Sequence, residues 1–168
     1  GEKADFAPRE EGKASIYWCG PTVYDVPHLG HARSTLAFDL LVRYLRWTGL
    51  DVTAVSNITD IDDKIINRAA DEGSTEPEVA SRYEATFIEQ MDRLNVAHPD
   101  LRPRATEYVD RMVEVIGELV EREMAYTTDS GVYFDVDRLD EYGALVGRSV
   151  DDLREGAGAR VDVDDDKV

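Results

Sequence analysis

Apolar residues recur along the chain at two different spacings, which predict alternating strands and helices. Residues 16–19 form a β-branched and aromatic run that ends at Gly20, and residues 51–56 form a second such run. Between them, residues 32–47 repeat apolar side chains at helical spacing up to Gly49. The apolar stripe of this helix consists of Leu36, Leu40, Leu41, Tyr44 and Leu45. A strand, one crossover helix and a second strand predict a parallel sheet.

Two further helices are predicted after the second strand. Asp60 can cap a short helix that runs to about residue 71 and ends at Gly73. Thr75 and Glu78 have the spacing of a capping box, which predicts a long helix to about residue 95.

The composition changes after the prolines at 99 and 103, so we predict two domains, 1–102 and 103–168. The predicted elements of the second domain are a helix at 106–124, a hairpin of strands at 125–128 and 131–136, and a last strand at 159–163. The predicted buried face of that helix consists of Tyr108, Met112, Ile116, Leu119 and Val120. Because the last strand lacks a partner and no initiator Met precedes the first, we expect a piece of a longer protein.

The chain is acidic throughout. It has 36 Asp and Glu against 19 Lys and Arg, a formal net charge of −17 that is spread along the sequence. Such a chain repels itself unless ions screen its charges, so we expect a salt-adapted source organism. The same charge argues against a broad nucleic-acid-binding face on this region, so contacts with RNA would depend on a few arginines or lie elsewhere.

Composition also bears on the compartment. Hydrophobic residues make up 42% of the chain, which is enough for a packed core. No apolar run reaches the roughly 18 residues that a membrane span needs, and the first residues lack the features of a secretion signal. Cys19 is the only cysteine, so no intrachain disulfide can form, and we expect a cytoplasmic location.

Two histidines stand directly before the first predicted helix. His28 and His31 are three residues apart and share a face if this turn is helical, and Gly30 between them lets a ligand approach the backbone. A helix N-terminus at the end of a parallel strand is where open α/β sheets bind phosphates. This setting favours a nucleotide site over the alternative of two exposed loop histidines.

Two other stretches hold candidate ligands. On its residues alone, Cys19 at the end of the first strand is more simply explained as a buried small hydrophobe than as a metal ligand or nucleophile. In the stretch 57–63, the carboxylates are better explained as helix caps than as a divalent-cation site. Thr59 ends the second strand and is expected to face the same crevice as the histidines.

Taken together, three motifs resemble the cysteinyl-tRNA synthetase family, which are class I aminoacyl-tRNA synthetases. They are Tyr-Trp-Cys-Gly-Pro-Thr-Val-Tyr-Asp at 17–25, His-Leu-Gly-His-Ala-Arg at 28–33 and Asn-Ile-Thr-Asp-Ile-Asp-Asp-Lys-Ile-Ile at 57–66. The similarity continues at 102–106 and 158–161, so it covers nearly the whole chain. It implies an α/β fold: the first half of a Rossmann-type (HUP-like) parallel-sheet catalytic domain, followed by the start of an α+β connective insertion.

The resemblance also implies a reaction and its residues. That family couples L-cysteine to ATP with Mg²⁺, forming cysteinyl-adenylate, and then transfers cysteine to tRNA(Cys). Residues 28–31 resemble the HIGH signature, with Leu29 a conservative difference, which implies that His28 and His31 are catalytic. The implied ATP-binding residues are Pro21, Thr22, Tyr24, Asp25, His28, Gly30 and His31, and the implied substrate-binding residues are Gly20, Thr22 and Thr59.

By the same resemblance, Cys19 is the first of four zinc ligands. A zinc ion would select the thiolate of cysteine over the hydroxyl of serine. The other ligands of the family (a second Cys, a His and a Glu) and its KMSKS loop have no counterpart in this chain. We therefore expect that the chain alone neither holds zinc tightly nor forms adenylate at a useful rate. We also expect exposed apolar surface, and a chain that is a monomer or self-associates through that surface.

Three alternatives remain open. The cysteine ligase of mycothiol synthesis shares the Cys and the HIGH-like motif, but the run 60–66, and Lys64 above all, favours the tRNA enzyme. A small nucleotidyltransferase would show a Gly-rich, Phe-containing turn and a complete compact domain. A non-catalytic, truncated binding module would share the ancestry and lack the activity.

Overall fold

In the computed structural model, which describes residue 3 and residues 5–147, two parallel strands form the centre of the first unit. β1 (Lys13–Trp18) pairs with β2 (Asp51–Ser56) along its whole length, and α1 (Leu29–Trp47) connects them. The predicted strand, helix and parallel strand are confirmed. The helix begins earlier than residue 32 because His28 caps it, a signal that apolar spacing does not contain.

A third segment extends the sheet on the other side of β2. The stretch 101–104 adds two isolated parallel bridges. Asp100, just before it, accepts a hydrogen bond from the Ala54 N–H at 2.7 Å. The same carboxylate accepts two hydrogen bonds from the Arg46 guanidinium of α1, at 2.8 and 3.0 Å. Asp100 therefore fastens the helix and the third segment to β2.

One face of α1 packs against the sheet. Val42 is buried, and the Phe38 ring stacks on Trp18 of β1 with the ring centroids 5.2 Å apart. Most of the predicted apolar stripe lies outside this face: the exposed fractions are 39% for Leu36, 69% for Leu40, 42% for Leu41 and 55% for Tyr44. Of the stripe, Leu45 alone packs against the core among the described residues. The spacing predicted the helix correctly but not which of its faces the sheet covers.

The N-cap of α2 (Asp63–Glu72) differs from the predicted one. Asp62 is the cap, and its carboxylate accepts a hydrogen bond from the Lys64 N–H at 2.9 Å. The prediction that Asp60 caps this helix was wrong. The Asp60 carboxylate instead accepts hydrogen bonds from the backbone N–H and the hydroxyl of Thr106, at 3.0 and 2.5 Å.

The end of α2 and the start of α3 (Glu76–Arg93) follow the prediction. Gly73 ends α2 in the left-handed conformation with a φ of 62°, which glycine adopts without strain. Thr75 and Glu78 form the capping box that starts α3.

α2 and α3 bury an apolar cluster together with the segments that follow β1 and β2. Its members are Val23, Ile58, Ile65, Ala69, Val79, Ala80, Tyr83, Phe87, Met91 and Val96. Val23 and Ile58 are 1% and 0% exposed. Burying one such side chain stabilises the fold by about 1.5–3 kcal/mol. The segments that follow β1 and β2 are therefore fixed in position by packing against this cluster.

The described part of the second unit contains a helix and a hairpin. α4 (Val109–Glu121) is followed by β3 (Ala125–Thr128), which pairs antiparallel with β4 (Gly131–Phe134). The predicted helix and hairpin are confirmed with shorter bounds. The helix begins later than predicted because residues 105–108 form a 3-10 helix, and the second strand ends at Phe134. The predicted buried face of the helix was wrong, because within the described chain no residue of α4 is buried. Of the predicted face, Leu119 is half-buried and the other residues are exposed.

The chain divides into two compact units, Gly1–Tyr108 and Val109–Val168. The domain boundary between residues 102 and 103 stays a prediction. The last predicted strand, at 159–163, lies outside the described residues. Among the helices that the structure describes, none has the length and apolar character required to cross a bilayer.

Candidate active site

The pairing register of the central strands changes by one residue where β1 ends. Trp18 lies opposite Ser56, but the next parallel pair is Thr22 opposite Thr59. Between these two pairs, the segment after β1 contains three residues, 19–21, and the segment after β2 contains two, 57–58. This is the arrangement of a β-bulge, in which an extra residue is left out of the ladder.

Cys19 lies in this bulge, one residue beyond the end of β1, and it is exposed. The expectation that it is a buried small hydrophobe was wrong, because the change of register takes it out of the sheet. Its neighbour Trp18 is only 7% exposed, so the transition from core to surface occurs within one residue. The thiol is thus accessible at the carboxyl edge of the sheet.

Asn57 and Gly20 hold the bulge together. The Gly20 N–H donates to Asn57 Oδ1 at 2.8 Å, and the Tyr17 hydroxyl donates to the same oxygen at 3.1 Å. The side-chain amide of Asn57 donates to the Thr59 hydroxyl at 3.3 Å. A Cβ on residue 20 would lie 1.6 Å from the backbone carbonyl oxygen of Asn57, so only glycine fits there. The Asn57 side chain thus replaces the ladder bond that the bulge removes.

The two histidines of the motif cap α1. His28 is the N-cap, and its Nδ1 accepts a hydrogen bond from the Gly30 N–H at 3.0 Å. The Nδ1 of His31 accepts a hydrogen bond from the His28 N–H at 3.1 Å. This is a capping box built from two imidazoles instead of a hydroxyl and a carboxylate. The two rings stack with their centroids 4.0 Å apart.

At this turn the helix dipole favours an anion, while the charged form of the His31 ring is itself disfavoured. The pKa of His31 is lowered from its ordinary value, first because burial penalises the charged ring and second because His28 lies beside it. The first turn of α1, which is fully described, contains no acidic residue. The positive end of the helix dipole is therefore not neutralised by the helix itself.

These groups line one crevice of about 320 Å³. Among the predicted site residues, those that line it are Cys19, Gly20, Pro21, His28, Gly30 and His31. The other lining residues are Ser34, Thr35 and Phe87. The structure thus brings the thiol and both imidazoles to the same crevice, as the hypothesis of a nucleotide site requires.

Four predicted site residues lie outside this lining. The roles of all the predicted site residues, inside and outside it, stay predictions. Thr22 and Thr59 form the parallel bridge that follows the bulge. The Lys64 ammonium lies over the ring of Tyr24, 5.3 Å from its centroid. The Asp25 carboxylate accepts a hydrogen bond from the next backbone N–H at 2.7 Å and lies 3.7 Å from the Arg68 guanidinium.

Sequence reasoning missed several residues of the site. Ser34 and Thr35 lie one turn after His31, so helical spacing could have found them. Asn57 follows a parallel strand directly, which is the position of a site residue in such sheets. Phe87 comes from α3, and no local pattern connects it with the histidines.

The crevice contains one residue that is predicted to ligate a metal, Cys19. Among the residues that the structure describes, no group of three or more His, Cys, Asp or Glu side chains is placed to hold a metal ion. The Nδ1 atoms of His28 and His31 are occupied by backbone N–H groups. These residues alone therefore do not form a zinc site.

A larger hollow, of about 730 Å³, lies in the same unit against α2 and the start of α3. Ile61, Ile65 and Ile66 contribute to its apolar wall. Its lining also includes Arg104 and Glu84, whose side chains form two hydrogen bonds at 2.8 and 2.9 Å. This arginine and this carboxylate therefore satisfy each other.

Two solved structures share the fold of this chain. A ternary complex of Agrobacterium radiobacter LeuRS with tRNA and LeuAMS has a TM-score of 0.62 and 19% identity, covering 74% of this chain and 17% of that chain. Mycobacterium tuberculosis methionyl-tRNA synthetase in complex with methionyl-adenylate has a TM-score of 0.59 and 23% identity, covering 67% of this chain and 23% of that chain. Such identities show the fold alone. It is the Rossmann-like fold of class I aminoacyl-tRNA synthetase catalytic domains.

The family follows from the sequence. The family model described as "tRNA synthetases class I (C) catalytic domain" matches residues 5–168. The chain belongs to this family. Its curated relatives include the cysteine–tRNA ligase of Nitratidesulfovibrio vulgaris (strain Miyazaki F), which is 56% identical over 93% of this chain and 32% of the relative. That of Trichlorobacter lovleyi is 50% identical over 99% of this chain and 34% of the relative. The chain thus spans about a third of the length of the curated relatives it matches.

Proposed function

We propose that this chain is the N-terminal part of a cysteine–tRNA ligase and contributes the crevice in which L-cysteine and ATP react. One observation carries the proposal: the bulge and the helix cap bring Cys19, His28 and His31 to one crevice at the carboxyl edge of a parallel sheet. Relatives with that name, 50 and 56% identical to this chain, support the choice of amino acid.

In the proposed reaction a carboxylate oxygen of L-cysteine attacks the α-phosphorus of ATP. The bond between that phosphorus and the bridging oxygen breaks, and pyrophosphate leaves with Mg²⁺. Negative charge grows on the α-phosphoryl oxygens, which the N-terminus of α1 and the imidazoles of His28 and His31 stabilise by donating hydrogen bonds. A ribose hydroxyl of the terminal adenosine of tRNA(Cys) then attacks the carbonyl carbon of the adenylate, the bond from that carbon to the phosphate oxygen breaks, and AMP leaves.

The neighbouring residues would position the two substrates. We assign ATP binding to Pro21, Thr22, Tyr24, Asp25 and Gly30 with the two histidines, and cysteine binding to Gly20, Thr22 and Thr59. Gly20 suits this role because its N–H is held by Asn57 and no Cβ stands beside the thiol-bearing residue.

Zinc is part of the family resemblance, but the described residues do not form a site for it. Cys19 fits one ligand, since its thiol is exposed at the crevice. A single thiolate does not hold a structural zinc ion, so any remaining ligands must lie outside the described residues. We therefore expect isothermal titration of this chain with zinc to show no site of submicromolar affinity.

A chimera tests the function directly. This chain would replace the matching third of the N. vulgaris enzyme, and ATP–pyrophosphate exchange would be measured with cysteine and with serine. We expect exchange that depends on cysteine, and none from the chain alone. A chimera that folds but activates serine equally, or clear exchange by the chain alone, would contradict the proposal.

Composition supports two further parts of the proposal. The single cysteine agrees with a reducing cytoplasm, and the net charge of −17 agrees with a salt-adapted source. The exposed apolar stripe of α1 is a surface through which the separate chain would self-associate.

A further inference from the structure

The histidine cap of α1 has a chemical consequence for both rings. In each ring Nδ1 accepts a hydrogen bond from a backbone N–H, from Gly30 to His28 and from His28 to His31. A ring nitrogen that accepts a hydrogen bond carries no proton. In a neutral imidazole the proton must then be on the other nitrogen, Nε2.

We infer that the first turn of α1 fixes His28 and His31 as neutral Nε2–H tautomers, with Gly30 as the positioning residue, so that both rings act in the crevice as hydrogen-bond donors. This deepens the proposed function and depends on it only for the identity of the ligand. With Nδ1 occupied and Nε2 protonated, neither ring is available as a general base. The histidines therefore stabilise the charge that develops on the α-phosphoryl oxygens as fixed hydrogen-bond donors, which need no rearrangement during the reaction.

The stacking of the rings supports the same state. Their centroids are 4.0 Å apart with the planes inclined by 29°, and two charged rings at that distance would repel each other. A proton on either Nδ1 would also point at the backbone N–H that now donates a hydrogen bond to that nitrogen. The cap and the stack thus both favour two neutral rings.

Gly30 makes the arrangement possible. A Cβ at this position would lie 2.7 Å from Cε1 and 2.9 Å from Nδ1 of the His28 ring. The ring could not then fold back over the first turn. Gly117 in α4 is a matched control, because a Cβ there would have nothing within 4 Å.

NMR on the chain itself tests the inference without reference to catalysis. In the chain labelled with ¹⁵N-histidine, long-range ¹H–¹⁵N spectra at neutral pH report which ring nitrogens are protonated. The chain has three histidines, so a His98→Gln variant assigns the third. We expect unprotonated Nδ1 and protonated Nε2 in His28 and His31. A protonated Nδ1, an averaged mixture of tautomers or an imidazolium in either ring would overturn the inference.

Two variants test the positioning role. In Gly30→Ala we expect the His28 signals to become those of averaged tautomers, while Gly117→Ala leaves them unchanged. If Gly30→Ala keeps a fixed Nε2–H tautomer on His28, the role of Gly30 is wrong. If that variant does not fold, the spectra of the unaltered chain still decide the tautomers. Loss of cysteine activation in the chimera would count against the proposed function without changing these spectra.

Discussion

At the residue scale, the Asn57 side chain keeps the bulge at Cys19 in place. Its Oδ1 is the acceptor for the partly buried Gly20 N–H at 2.8 Å. In Asn57→Ala that N–H loses its partner, so we predict a loss of about 1–3 kcal/mol in the free energy of unfolding. Urea denaturation would measure it.

Asn57→Asp is the matched control, because it keeps an acceptor oxygen at the same position. We predict that its loss of stability is less than half that of the alanine variant. Equal losses in the two variants would show that the Gly20 hydrogen bond is not what Asn57 contributes.

The residue scale also shows what the sequence could and could not predict. The chain order placed Cys19 and the histidines at strand and helix ends, and the structure brings them together. The bulge was not predictable, because it depends on the pairing of two distant segments. Asp60 was wrongly chosen as a cap because its partner, Thr106, lies far along the chain.

At the element scale, Asp100 joins α1, β2 and the third segment of the sheet. The pKa of Asp100 is lowered, first by the hydrogen bond from the Ala54 N–H, with Arg46 adding to the effect and burial opposing it. The folded state thus prefers the carboxylate. The stabilisation is present above the ordinary pKa of the group and is lost as the pH falls through the lowered pKa of the folded state.

Asp100→Asn tests this connection. We predict that the variant is less stable than the unaltered chain by about 1 kcal/mol near neutral pH, since the carboxylate is well exposed to solvent. The difference should stay constant from about pH 7 down to about pH 4, the ordinary pKa of the group, and should shrink as the pH falls further through the lowered pKa of the folded state. Denaturation midpoints of both chains across this range would measure it. A difference that stays constant below about pH 4 as well would contradict the prediction.

Apolar spacing and capping signals predicted the four α-helices of the described chain but not which of their faces are buried. In α1 the sheet covers Phe38 and Val42, while Leu40 and Tyr44 of the stronger stripe are exposed. In α4 most of the predicted face is exposed as well, with only Leu119 half-buried. Spacing identifies an apolar stripe, but whether it is buried depends on which other elements pack against it.

At the scale of the whole molecule, the acidic charge predicts that stability depends on salt. With a net charge of −17 the compact chain repels itself, and added salt shortens the range of that repulsion to about 3 Å at 1 M. We predict that the thermal midpoint rises by several degrees as NaCl increases toward that concentration. Scanning calorimetry would measure it, with glycerol at equal osmolality as the uncharged control. A midpoint that stays flat or falls with NaCl would contradict the prediction.

The most direct test replaces the histidines one at a time by asparagine in the chimera, with His98→Asn as the control. His98 is exposed, pairs with Asp92 at 2.8 Å and does not line the crevice. We predict that His28→Asn and His31→Asn each lower kcat of cysteine-dependent pyrophosphate exchange by about 100-fold or more, while His98→Asn leaves it unchanged. Exchange at the level of the unaltered chimera in both crevice variants would show that formation of the adenylate does not depend on these rings.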